Sequence, residues 1–142
     1  MANKRKPHLS WQDKLKASVA PVMKLAPVNI AGMTAGQVML VPTPRLIDDF
    51  IRGIPSGQAT DVKLMRQTLA QMHGAEVTCP IYTGFHLRTV AEAACEQHQM
   101  GAQLIAITPF WRVLDTKSPT AKKLACGIAF IRERRLAEGL EA

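Results

Sequence analysis

The chain lacks the features of a membrane protein and of a protein held together by disulfides. No apolar run in its 142 residues approaches the ~18–20 residues that a membrane span needs, and the basic first residues contain no apolar secretory-signal core. The three cysteines, Cys79, Cys95 and Cys126, are odd in number and widely spaced. That pattern argues against a disulfide framework and against a zinc ribbon. We therefore expect a cytoplasmic protein in a reducing environment, with no membrane partner, no metal and no cofactor.

Aromatic residues are few, at 5%, but the 47% apolar and 20% charged residues are typical of one globular domain. Acidic residues are outnumbered, and the net charge is +7. Residues 1–24 hold six basic groups and one acidic group. Residues 25–100 hold five basic and six acidic groups, and residues 101–142 hold seven basic and four acidic groups. Two basic ends predict a polyanionic partner, nucleic acid first, with a solubilising tail on a neutral fold as the alternative.

Turn and capping residues divide the chain into two parts. Residues 1–38 are predicted to form a basic arm with a short helix capped by Ser10 and an irregular linker over residues 20–37. Residues 39–142 are predicted to form one domain, mainly α with a small β element. The expected helices cover residues 44–52, 61–73, 84–98 and 121–138, the first three capped by Thr43, Thr60 and Thr83, and the extended segments cover residues 36–42 and 104–115. This order of elements resembles a winged helix-turn-helix.

The most informative stretch is Ile107-Thr108-Pro109-Phe110-Trp111-Arg112-Val113. It resembles the active-site segment Ile-Pro-Cys-His-Arg-Val of the methylguanine methyltransferase family. Three further motifs occur along the chain in the same order as in the family. They are Ile54-Pro55-Ser56-Gly57 with Thr60, Arg88-Thr89-Val90, and Cys126-Gly127-Ile128-Ala129 with Glu138-Gly139. The resemblance spans residues 40–139 and implies a fold like the C-terminal DNA-binding domain of the alkylguanine transferases.

The family's reactive residues are missing. Phe110 stands where the transferases have the alkyl-accepting cysteine, and Trp111 stands where they have the activating histidine. Neither side chain can supply the thiolate that alkyl acceptance needs. The chain thus resembles the alkyltransferase-like group, in which an aromatic residue replaces the cysteine, and it resembles still more a group of small bacterial proteins that read Pro-aromatic-Trp-Arg. That similarity implies a DNA repair role without catalysis, through nucleotide flipping from the minor groove.

The resemblance also implies individual site residues. Arg88 would fill the gap left by the flipped base, while Thr60, Thr83, His86 and Thr89 would contact the DNA backbone. Other interpretations stay open: Arg88 as a solvated helix arginine, and Thr83 as an ordinary N-cap. The base pocket is predicted from Pro109, Phe110, Trp111 and Arg112, with the alternatives that the two rings belong to the core and that Arg112 braces the site.

The leading hypothesis is therefore a non-catalytic protein that binds double-stranded DNA, in its narrower form alkylated DNA, close to the nucleoid and together with a repair protein. Two alternatives remain. Cys79, with His73 six residues upstream, would serve as the acceptor of a cysteine-dependent alkyltransferase. A winged helix would otherwise act as a module that binds protein or RNA.

Overall fold

Helices make up about half of the chain and accompany a small three-stranded sheet in the computed structural model, which describes residues 10–17 and 19–142. Of the predicted arm over residues 1–38, residues 1–9 and residue 18 lie outside the described residues. In chain order the elements are α1 (Trp11–Lys16), β1 (Val22–Leu25), β2 (Val38–Val41), α2 (Pro44–Arg52), α3 (Val62–Met72), β3 (Val77–Thr78), α4 (Pro80–Gln99) and α5 (Gly127–Ala137), with short 3-10 turns at Leu104–Ala106, Phe110–Arg112 and Ala121–Lys123. The prediction of a mainly α fold with a small β element is confirmed.

Two helix starts follow the predicted capping chemistry. The Thr43 hydroxyl accepts a hydrogen bond from the Leu46 N–H at 3.1 Å, and Pro44 begins α2. The Ser10 hydroxyl accepts from the Asp13 N–H at 3.1 Å and so caps α1. At both positions the capping side chain is sufficient to predict where the helix begins.

Two other predicted caps are wrong. Asp61 caps α3, because its carboxylate accepts from the Leu64 N–H at 2.8 Å, whereas the Thr60 N–H donates to the Arg112 carbonyl. The second helix of the pair begins earlier than predicted, at Pro80, so Thr83 lies inside the first turn of α4. Its side chain is fully buried, and its hydroxyl donates to the Cys79 carbonyl at 2.6 Å.

The sheet lies before α4 in the chain and has the order β1-β2-β3. Strand β1 pairs antiparallel with β2, and β2 pairs parallel with β3. The predicted linker over residues 20–37 thus contains a strand. The predicted extended segment over residues 104–115 instead contains 3-10 turns, and no strand occurs in the described residues after α4. Consecutive residues are buried there, which a strand with one solvated face does not allow. The winged form is not confirmed.

The core is built around the second half of α4. The predicted stripe Leu87, Val90, Ala91 and Ala94 is buried, and so is every residue from Thr89 to Cys95. Helices α2 and α3 pack their apolar faces against it through Ile47, Ile51, Met65 and Leu69. Among the described residues, no helix combines the length and the apolar character that crossing a membrane requires.

The cysteines correct a further expectation. The odd number and wide spacing of the cysteines argued against a disulfide framework, but the structure joins Cys95 and Cys126 in a disulfide with their Cα atoms 5.6 Å apart. The bond connects the C-terminal part of α4 with the residue before α5. The two residues are 31 positions apart in sequence, so their proximity is a property of the tertiary fold.

Candidate nucleic-acid interface

Phe110, predicted to line a base pocket, belongs to the core. Its side chain is fully buried, its ring stacks on Phe130 with centroids 5.9 Å apart, and it meets Trp111 edge-on at 5.4 Å. Pro109 is buried beside it. Because neighbouring side chains cover Phe110, it offers no face on which a base could stack in this conformation. The alternative interpretation of the ring as a core residue describes what the structure contains.

Arg112 braces this corner of the molecule. Its guanidinium makes two hydrogen bonds to the Glu138 carboxylate, at 2.9 and 3.0 Å, and a third to the Ile54 carbonyl at 2.7 Å. The same carboxylate accepts from the Trp111 indole N–H at 2.7 Å and from the Gly57 N–H at 3.1 Å. Four donors on one carboxylate tie the turn at residue 57 and the Phe110–Arg112 turn to the end of α5.

The electrostatics of Glu138 reflect this arrangement. Burial by itself would raise the pKa of the carboxyl group. The hydrogen bonds from Arg112, Trp111 and Gly57 and the charge of Arg112 outweigh that effect and lower the pKa from 4.5 to about 2. Glu138 is therefore ionised throughout the neutral range and is committed to holding the structure together.

Arg88 lies on α4 between two partners. Its guanidinium contacts the Glu92 carboxylate at 3.5 Å and lies 5.3 Å from the centre of the Trp11 ring, which belongs to α1. The side chain remains 40% exposed, although its Nε atom is buried without a hydrogen-bond partner. Arg88 is thus accessible from one side and held in place from the other.

The remaining predicted DNA contacts are less accessible. Thr83 and Thr89 are buried, and the Thr89 hydroxyl donates to the Phe85 carbonyl at 3.2 Å, so neither can reach a phosphate. The Thr60 side-chain oxygen is also buried. His86 is half-buried and stacks on Tyr82, and burial lowers the pKa of its imidazole from 6.5. It is therefore neutral at pH 7 and brings no charge to the surface.

The structure reveals exposed side chains that the sequence interpretation missed. Ile81, Tyr82 and Phe85, in the first two turns of α4, are 48, 47 and 65% exposed. With Arg88 they occupy one side of the helix, and we call these four residues the α4 face. Pro80 was the signal that could have revealed them, because proline is favoured in the first turn of a helix. Thr83 instead suggested a later start.

The charges around the α4 face are mainly positive. Both carboxylates of α4 are engaged: Glu92 is buried, and Glu96 caps α1 by accepting from the Trp11 and Gln12 N–H groups at 3.1 and 3.0 Å. Helix α1 therefore packs along α4, and within α1 the Lys14 ammonium lies 4.3 Å from the Trp11 ring centre. Lys14 also lines a cavity of about 360 Å³, to which α4 contributes Tyr82 and His86.

A basic loop over residues 116–125 is joined to α4 at its end. The second Glu92 oxygen accepts from the Ala125 N–H at 2.9 Å, which holds this end of the loop at Glu92. Lys117, Lys122 and Lys123 in this loop are exposed. Asp115, which precedes the loop, is half-buried and accepts hydrogen bonds from the Lys117 N–H and the Ser118 hydroxyl.

Cys79 is poorly placed for the alternative of alkyl transfer. It is 4% exposed and packs in a small second core with Ala26, Met33 and Met39. Its N–H donates to the Leu40 carbonyl, which fixes the backbone. A substrate cannot reach the sulfur in this conformation. In the part of the chain that the structure describes, no three His, Cys, Asp or Glu side chains come together as metal ligands do.

Comparisons of this chain with protein-family models, with curated proteins and with solved structures found no match.

Proposed function

We propose that the protein is a non-catalytic protein that binds double-stranded DNA through the α4 face. The observation that carries the proposal is the combination on one helix of exposed Ile81, Tyr82 and Phe85 with Arg88 one turn further on. Helix-turn-helix proteins present the N-terminal residues of the second helix to the DNA. Helices α3 and α4 follow that order, separated by a short connection that contains β3.

The chemistry of the α4 face favours the minor groove. Proteins that bind there insert apolar side chains between base steps and place arginine in the groove. Phe85 and Ile81 supply the apolar groups, and Arg88 supplies the cation. A face made of apolar side chains alone would favour a protein partner. The positive charges of neighbouring segments therefore decide between DNA and protein as the partner.

Two segments that contact α4 carry lysines. Lys14 and Lys16 come from α1, and Lys117, Lys122 and Lys123 come from the basic loop. Each lysine that neutralises a phosphate releases a counterion, which makes the affinity fall as salt rises. This arrangement predicts a steep salt dependence for DNA and a shallow one for a protein partner.

The test is a titration of a short labelled duplex with the full chain by fluorescence anisotropy. Phe85→Ala is expected to lower the affinity by about tenfold, since a stacked or inserted aromatic contributes ~1–3 kcal/mol. Lys122→Ala with Lys123→Ala is expected to flatten the slope of log affinity against log salt by about 2. Ile105→Ala is the matched control, because Ile105 is an apolar residue that is 92% exposed and follows the opposite end of α4.

Three results would contradict the proposal at different levels. No affinity of the wild-type chain for duplex DNA at low salt overturns DNA binding. Equal losses for Phe85→Ala and Ile105→Ala overturn the choice of the α4 face. A salt slope near zero together with binding of a protein would establish the interaction module instead.

Recognition of alkylated DNA is the narrower part of the proposal. A duplex with one alkylguanine is expected to bind more tightly than its unmodified counterpart, and Arg88→Ala to reduce that preference more than it reduces plain duplex binding. Because Phe110 is buried, the proposal assigns it no contact with the base. Equal affinity for both duplexes removes lesion recognition and leaves DNA binding intact.

A further inference from the structure

The disulfide between Cys95 and Cys126 crosses from the core to a surface segment. Cys95 is fully buried in α4, whereas Cys126 is half-buried at the start of α5. Cys95 is therefore shielded from solvent, and Cys126 is the partly exposed member of the pair. Such a pair can exchange with an external disulfide at its outer sulfur while the inner one completes the reaction.

The disulfide lies where few other polar contacts hold the chain. Helix α5 starts at Gly127, whose φ is +80°, and has no side-chain cap at Cys126. The Glu92 carboxylate holds the neighbouring Ala125 N–H, and Ala121 and Leu124 bury their side chains in the core. Reduction would leave the basic loop held by these contacts and by the hydrogen bonds of Lys117 and Ser118 to Asp115.

We propose that Cys95 and Cys126 form a redox-active pair that fixes or releases the basic loop. The reaction partner is a low-molecular-weight disulfide of the glutathione type. The Cys126 thiolate attacks that disulfide, forms a mixed disulfide and releases one thiolate. The Cys95 thiolate then attacks the Cys126 sulfur and releases the second thiolate. The two protons lost by the cysteines pass to the released thiolates, so the partner is reduced by two electrons and the protein is oxidised by two.

The position of the pair links the reaction to the α4 face. Glu92 lies one turn from Cys95 on α4 and contacts both Ala125 and Arg88, so the disulfide, the loop and Arg88 form one continuous set of contacts. The oxidised state holds the end of the loop that carries Lys122 and Lys123 against α4. In reducing compartments disulfides are usually transient and redox-sensing, which is the role inferred here.

The first experiment does not depend on DNA binding. The full chain is treated with glutathione disulfide or with dithiothreitol and then digested briefly with trypsin. Oxidation is expected to lower the mass by two hydrogen atoms and to slow cleavage after Lys122 and Lys123 by about tenfold, because cleavage requires the loop to open. Cys79→Ala is the control, since Cys79 takes no part in the disulfide and the variant should respond as the wild type does.

Cys126→Ser should be cleaved at the rate of the reduced chain in both buffers. Failure of glutathione disulfide to remove two hydrogens overturns the redox site. Equal cleavage rates in both states overturn the release of the loop, even where the disulfide forms.

The second experiment rests on the proposed function. The oxidised chain is expected to bind duplex DNA about threefold to tenfold more tightly than the reduced chain, because its lysines are already in place. Redox-dependent cleavage without DNA binding in either state supports the redox site and contradicts the proposed function. Redox-dependent cleavage with equal DNA affinities contradicts only the link between the two.

Discussion

Phe110 and Phe85 have the same side chain in opposite environments. Phe110 is enclosed by Trp111 and Phe130 and has no exposed surface, whereas Phe85 projects from α4 with 65% of its surface exposed. The sequence resemblance drew attention to Phe110, which was predicted to line a base pocket. The structure shows that Phe110 is wholly committed to packing, while the exposed aromatic surface lies on another element.

The backbone explains the difference. Phe110 and Trp111 lie in a 3-10 turn that is bound to the end of α5 through Glu138, so both rings are directed into the core. The first turns of α4 extend past that core, and Thr83 on their inner side is the buried residue. Phe110 and Trp111 should therefore control the stability of the fold, and the exposed residues of the α4 face should control binding.

The largest expected effect is that of Phe110→Ala. Removing a fully buried phenylalanine side chain should lower the free energy of unfolding by about 3–5 kcal/mol, measured by urea denaturation. Phe110→Leu keeps more of the apolar volume and should lose less. A Phe110→Ala protein with wild-type stability but weaker DNA binding would show that the ring lines a site instead of filling the core.

Glu138→Gln tests the ties that enclose this region. Loss of the charge leaves Arg112, which is only 14% exposed, without its ionic partner and should lower the free energy of unfolding by about 2–3 kcal/mol at pH 7. The folded-state pKa of Glu138, about 2, lies below the ordinary value of 4.5. Its stabilising contribution is therefore complete above pH 4.5 and disappears as the pH falls toward 2.

Urea denaturation of both proteins between pH 7 and pH 2 measures this contribution. The stability difference between wild type and Glu138→Gln should shrink as the pH falls through that interval. A difference that stays constant across the interval would mean that the Glu138 charge adds nothing to the fold.

The sequence predicted much of the fold where local chemistry decides the structure. Thr43 with Pro44 marked the start of α2, and the spacing of Leu87, Val90 and Ala94 marked the buried side of α4. The prediction failed where tertiary contacts decide. An apolar run over residues 104–115 is compatible with a buried strand and with buried turns, because both hide consecutive side chains.

The candidate site was less predictable than the fold. Arg88 was predicted to contact DNA, and its side chain is 40% exposed. Its contacts with Trp11 and Glu92 were not predictable, because they depend on how α1 packs against α4. The disulfide depends in the same way on the meeting of α4 with the start of α5. Capping and periodicity describe neighbours along the chain and carry no information about such meetings.

The smallest expected effect on stability completes the comparison. Phe85→Ala should change the free energy of unfolding by less than about 0.5 kcal/mol, because most of the ring is already in water. Urea denaturation of Phe85→Ala beside Phe110→Ala measures the same chemical change at two positions, so the difference between them reports the environment alone. A loss of several kcal/mol for Phe85→Ala would place its ring in the core and would remove it from the proposed DNA-binding surface.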